Sequence, residues 1–134
     1  MLHEEAIRIA ESTKNKHGTT PAAWLGRWTN QIGSTMDLEI NGSDVSGLYT
    51  SSTSGIGHGG EIKGQLKGYV ADDLISFTVL WPGGSITAWT GQLVGDDVAP
   101  TIKTLWHLVT DIPDADEPTR LWTSTLAGAD DFKR

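Results

Sequence analysis

From Trp24 onward, apolar and polar residues alternate in short runs cut by turn-forming clusters. Alternation of period two is the mark of half-buried strands. The runs predict strands near 24–31, 34–41, 45–53, 61–70, 74–82, 85–95, 100–110 and 119–127. The breaks are chemical. Asn41–Asp44 reads "NGSD", with Gly42 free to take positive φ. "ADD" at Ala71–Asp73 and "PGG" at Pro82–Gly84 are further hairpin turns, and "GDDVAP" and "DIPDADEP" are polar, Pro-bearing loops. Strands joined in this way predict an all-β, eight-stranded, antiparallel up-and-down barrel, with a sandwich as the alternative.

Parity assigns the faces. Ile75, Phe77, Val79 and Trp81 share one face, as do Ile102, Thr104, Trp106 and Leu108, and as do Met36, Leu38 and Ile40. These are the inward sets of a barrel. The same parity carries polar groups inward: Trp28 with Asn30 and Ser34, Tyr49 with Ser51, and Ser85 with Thr87 and Trp89. An inward polar atom without a hydrogen bond costs about 1–3 kcal/mol. So many on separate strands are hard to satisfy internally, which predicts a cavity whose polar wall meets a ligand or ordered water. Trp24 and Trp28 are expected as core at the closed end.

The first 20 residues read differently. "LHEEAIRIAES" brings Leu2, Ala6, Ile9 and Ala10 near one helical face. Glu4, Glu5 and Arg8 interrupt it where a signal peptide would be continuously apolar. A short helix or tail over 1–23 ahead of a barrel domain over 24–134 is the expected organisation.

Composition narrows the function. The net charge of −7 excludes nucleic acid and anionic membranes as principal partners. With no cysteine there is no disulfide, thiol catalysis or thiolate metal site. His3, His17, His58 and His107 are scattered, so no metal site is expected. No histidine lies near Ser51 or Ser85 in the strand map, and no nucleophile elbow is present, so the chain is not expected to be an enzyme. Six tryptophans against two phenylalanines and two tyrosines point instead to an aromatic ligand wall. The paired acids at 72–73, 96–97 and 130–131 read as surface, although Asp130 has a second reading.

"GRWTNQIGSTM" (Gly26–Met36), "GLYTS" (Gly47–Ser51), "FTVLW", "SITAWTGQ", "IKTLWHL" and "LWTSTLAGADDF" occur in that order. Over roughly residues 24–132 the chain resembles the avidin and streptavidin family of biotin-binding barrels. The resemblance implies a non-enzymatic, high-affinity biotin binder that sequesters the vitamin, with no cofactor besides that ligand. It implies that Asn30, Ser34 and Tyr49 donate to the ureido oxygen, while Ser51 and Asp130 accept the two ureido N–H groups. Thr87 would lie near the ring sulfur, with Ser85 at the valerate carboxylate. Trp81, Trp89, Trp106 and Leu108 would wall the apolar body. Thr53 and Gly55 would lie in the loop over the ligand, where Gly55 stands near a position at which a family member offers Asn. Trp122, on the final strand, would reach a neighbouring subunit's pocket. A homo-oligomer follows, with a tetramer favoured over a dimer or higher assembly, and a secreted or extracytoplasmic location. The outward His107 stands where an apolar residue is common. A lipocalin-like barrel carrying another small ligand is the alternative, and it predicts a mostly apolar interior.

Overall fold

The computed structural model describes residues 1–13, 15–52 and 60–134. A helix, α1 (His3–Thr13), precedes a 3₁₀ turn at Pro21–Trp24. Eight strands follow: β1 (Gly26–Asn30), β2 (Thr35–Asn41), β3 (Asp44–Ser51), β4 (Ile62–Ala71), β5 (Leu74–Leu80), β6 (Ile86–Val94), β7 (Thr101–Val109) and β8 (Thr125–Lys133). They close into an antiparallel barrel in sequence order, as the alternation predicts. The barrel core is the inward parity set. Met36, Leu38, Val45, Tyr49, Leu66, Ile75, Phe77, Val79, Ile102 and Phe132 are all buried.

The closed end carries the β2–β3, β4–β5 and β6–β7 connections together with the segments flanking the barrel. Pro21 opens the 3₁₀ turn that lodges Trp24 there. Trp24 and Trp28 are fully buried, and the Trp28 indole N–H donates to the Trp24 carbonyl at 2.9 Å. Arg134 lies 4.3 Å over the Trp28 ring and donates to the carbonyls of Leu25 and Ala23. The expected strand over 24–31 therefore begins two residues late, because Pro21 starts a helical turn that includes Trp24.

The expected strand over 119–127 is corrected. Residues Glu117–Arg120 form a short helix, α2, and Leu121–Ser124 a 3₁₀ turn, so β8 starts only at Thr125. Pro118 sits in the first turn of α2, where its missing N–H does no harm. The hydroxyls of Thr123 and Ser124 bond back to the carbonyls of Arg120 and Leu121, holding the chain in turns. Trp122 is thereby in a turn between β7 and β8, not on a strand, and it is 80% exposed.

The seam between β8 and β1 is short. Only Thr29 with Lys133 and Asn30 with Phe132 are paired there. Gln31 extends it by side chain: its amide N–H₂ donates to the Ala129 carbonyl and to Asp130, and its carbonyl accepts from the Asp131 N–H at 3.1 Å.

Candidate functional site

At the end of the barrel opposite Trp24, a cavity of about 610 Å³ opens between the strand ends. Its first wall is the β1–β2 hairpin. The Asn30 side-chain carbonyl accepts the backbone N–H groups of Ile32 and Ser34 at 3.1 and 2.9 Å. This is turn chemistry, with Gly33 at φ +92° completing the bend. It also commits the carbonyl side of the amide to the hairpin, so the N–H₂ faces the cavity, 3.4 Å from the Tyr49 hydroxyl. The turn role and the ligand role of Asn30 are therefore one arrangement. Ser34 Oγ accepts the Ser52 N–H at 2.8 Å, which turns its own proton towards the Tyr49 phenol. Three donors from β1, the hairpin and β3 thus meet at one point.

Tyr49 is buried, stacked 4.9 Å from Trp89 and edge-on to Trp81 and Phe132. Burial, reinforced by the nearby Asp130 carboxylate, pushes its phenol well above the ordinary tyrosine value. The bonds from Ser34 and Asn30 pull the other way without cancelling this. The phenol remains a donor.

The facing wall is Asp130, buried on β8. One carboxylate oxygen accepts from the Trp89 indole N–H at 2.9 Å and the other from Gln31 at 3.0 Å. The Thr104 hydroxyl donates to the Asp130 backbone carbonyl. The carboxylate is held from both sides, with lone pairs left for a ligand N–H. The surface reading of Asp130 is therefore set aside, whereas Asp131 beside it faces Lys103 on the outside of the barrel.

Between these walls lie the aromatics. Trp89 is sandwiched between Tyr49 and Phe77, the latter 4.9 Å away at 18°, so its ring is fixed and its edge borders the cavity. The Trp81 indole donates to Thr87 Oγ1 at 2.8 Å, leaving the Thr87 proton to donate. Trp106 lies over Gly128, its partner in the β7–β8 register; a Cβ there would meet the ring at 2.5 Å. Only glycine leaves that ring its seat.

Eleven of the residues singled out in the sequence line this one cavity: Asn30, Ser34, Tyr49, Ser51, Trp81, Ser85, Thr87, Trp89, Trp106, Leu108 and Asp130. Thr53 and Gly55 lie outside the described residues. Trp122 does not line the cavity of its own subunit. Ile32, Glu61, Ile62, Lys63, Pro82 and Gly83 also line it and were not among the site residues expected from the sequence. Ile62 shared the parity of Leu66 and could have been read from it. Gln31 carried no such signal, since it sits in a turn where parity lapses. The polar wall also proves largely bonded to itself. Among the described residues, no fully buried side-chain nitrogen or oxygen lacks a partner.

A family model, "Avidin family", matches residues 19–134. The chain belongs to the avidin family. Among solved structures, it is similar to xenavidin, with 28% identity and a TM-score of 0.69 over 86% of this chain and 99% of that one. It is similar to rhizavidin, solved as a biotin complex, with 27% identity and a TM-score of 0.64 over 81% and 89% of the two chains. A shwanavidin variant, also solved with biotin, gives 27% identity and a TM-score of 0.64 over 82% and 96%. Avidin-family membership and the polar interior together count against a lipocalin-like carrier.

Proposed function

We propose that this chain binds biotin, one molecule per subunit, as a non-enzymatic receptor. The observation that carries the reading is the pairing of two polar walls across an aromatic cavity. Asn30, Ser34 and Tyr49 present donors at one point, and Asp130, fixed by Trp89 and Gln31, presents an acceptor. A cyclic urea offers the complement, a carbonyl oxygen flanked by N–H groups. Three donors on one carbonyl polarise it towards an oxyanion, here in a bound ground state. Ser51 accepts the second ureido N–H, Thr87 lies at the sulfur and Ser85 at the carboxylate. Trp81, Trp89, Trp106 and Leu108 cover the apolar body. The volume suits a small ligand. The rhizavidin and shwanavidin complexes with biotin support the assignment.

High affinity, sequestration of the vitamin outside the cytoplasm and assembly into a homo-oligomer complete the reading. Assembly is supported by the exposed apolar residues Tyr69, Leu74, Leu105 and Leu126 on the outer wall and by the exposed Trp122. Titration calorimetry with biotin tests the function. One site per chain is expected, and the absence of heat at any accessible concentration would refute it.

A further inference from the structure

The stretch 15–20, between α1 and the 3₁₀ turn, crosses the closed end of the barrel and meets the β4–β5 turn. Asp72 in that turn has φ +53°, the left-handed region that glycine occupies without strain. The β2–β3 turn at the same end uses Gly42, at φ +63°, for that conformation. Glycine would serve the β4–β5 turn better than aspartate, so the Asp72 side chain calls for a reason of its own.

Its contacts supply one. The Asp72 carboxylate accepts the backbone N–H of His17 at 2.7 Å and that of Thr19 at 2.9 Å, and the Gly18 N–H between them adds to their pull on the carboxylate. Three successive N–H groups pointing at one anion form a backbone nest. The left-handed Gly18, at φ +74°, makes the concavity, and nothing lies within 4 Å of where its Cβ would be. The His17 N–H holds the Asp72 carboxyl below the usual carboxylate range. Next to it, Asp73 takes the Thr19 hydroxyl, and its carboxylate lies 3.7 Å from His17 Nδ1. The Asp73 carbonyl accepts the Leu93 N–H at 2.8 Å, tying the turn to β6. Two residues after Thr19 comes Pro21, which starts the turn that lodges Trp24.

We propose that Asp72, seated in the backbone nest of His17, Gly18 and Thr19, is a clasp. It docks the 15–20 strap onto the closed end and holds the Trp24 plug over the barrel floor. The strap begins ahead of the stretch that the avidin-family model matches, at residues 19–134. The clasp thus fixes residues from outside that stretch to the end away from the ligand mouth.

Two variants test it from opposite sides. Asp72→Gly removes the anion and suits the turn's φ. Gly18→Val disfavours the nest conformation, and its Cβ would meet nothing within 4 Å. In the parent, the His17 and Thr19 amides are expected to resist hydrogen exchange, and trypsin to cleave slowly after Lys16. In either variant, both protections should fall by about tenfold or more, as expected when a local opening becomes cheap. Near-UV circular dichroism reports whether the barrel remains folded, and Gly18→Val leaves every barrel residue in place. Free-peptide exchange at both amides in the parent would overturn the proposal, as would unchanged protection in folded Gly18→Val.

Discussion

Asp130 shows how a single side chain acquires a role from its surroundings. In sequence it is one of two adjacent acids near the end of the chain. In the barrel, β8 turns Asp131 out and Asp130 in, where Trp89 and Gln31 grip its two oxygens. Asp130→Ala is expected to weaken biotin by about 1.5–3 kcal/mol, roughly ten- to hundredfold, because a charge-assisted acceptor is lost. Tyr49→Phe should cost less, since two donors remain on the same oxygen. Parallel calorimetry on the two variants checks the order. Tyr49 also makes a pH prediction. In the unfolded chain its phenol ionises near pH ~10, while in the barrel burial keeps it protonated beyond that. The unfolded state therefore sheds a proton that the folded state retains. Stability is intact below pH ~10 and falls as pH rises past it, by up to ~1.4 kcal/mol per pH unit from this one group. Denaturant unfolding at a series of alkaline pH values should show that slope in the parent and lose this part of it in Tyr49→Phe.

Among the elements, the β1–β2 hairpin that carries Gln31 and the β8–β1 seam that Gln31 bridges matter most. The β8–β1 seam has few ladder pairs, and the Gln31 amide makes up for them while aiming Asp130. Gln31→Ala should destabilise the fold by about 1 kcal/mol and weaken biotin by a further severalfold, because one bond to Asp130 and two to backbone disappear. A thermal melt with and without biotin separates the two effects, and a loss of stability with unchanged affinity would leave Gln31 a seam residue only. The strands β2 and β5 were legible in the sequence because each turns alternate apolar residues inward, and period two reports that directly; in β6 and β7 the same period carries Thr87 with Trp89, and Ile102 with Thr104 and Trp106, inward. β8 was not legible. "TLAGADDFK" is poor in β-branched and aromatic residues, and it is a strand because β7 and β1 supply its partners. The residues just before it, including Leu121 and Trp122, look more strand-like but are held in turns by Pro118, Thr123 and Ser124. Much of the site was readable from strand parity, as at Thr87 and Trp89 on β6 and at Ser85 just ahead of it, although Ile62 and Lys63 on β4 were not. It was not readable at Gln31, where the chain turns.

At the level of the whole molecule, the barrel divides its ends between two tasks. Trp24, Trp28 and Arg134 seal one end, and the other opens into the polar and aromatic cavity. The outer wall and the β7–β8 connection expose apolar side chains, Trp122 above all at 80%. Such exposure on a lone subunit costs about 25 cal/mol per Å². If Trp122 covers the ligand of a neighbouring subunit, binding and assembly are linked by mass action. Trp122→Lys should then shift the protein to smaller species in light scattering and speed biotin release, and retention of both mass and off-rate would place the subunit contact elsewhere. The most direct measurement is the crystal structure of the protein grown with biotin. The bicyclic ring is expected inside the barrel, with its ureido oxygen within hydrogen-bond reach of Asn30, Ser34 and Tyr49 and one ureido N–H on Asp130. An empty cavity at saturating biotin, or a ring seated with its ureido group away from those residues, would contradict it.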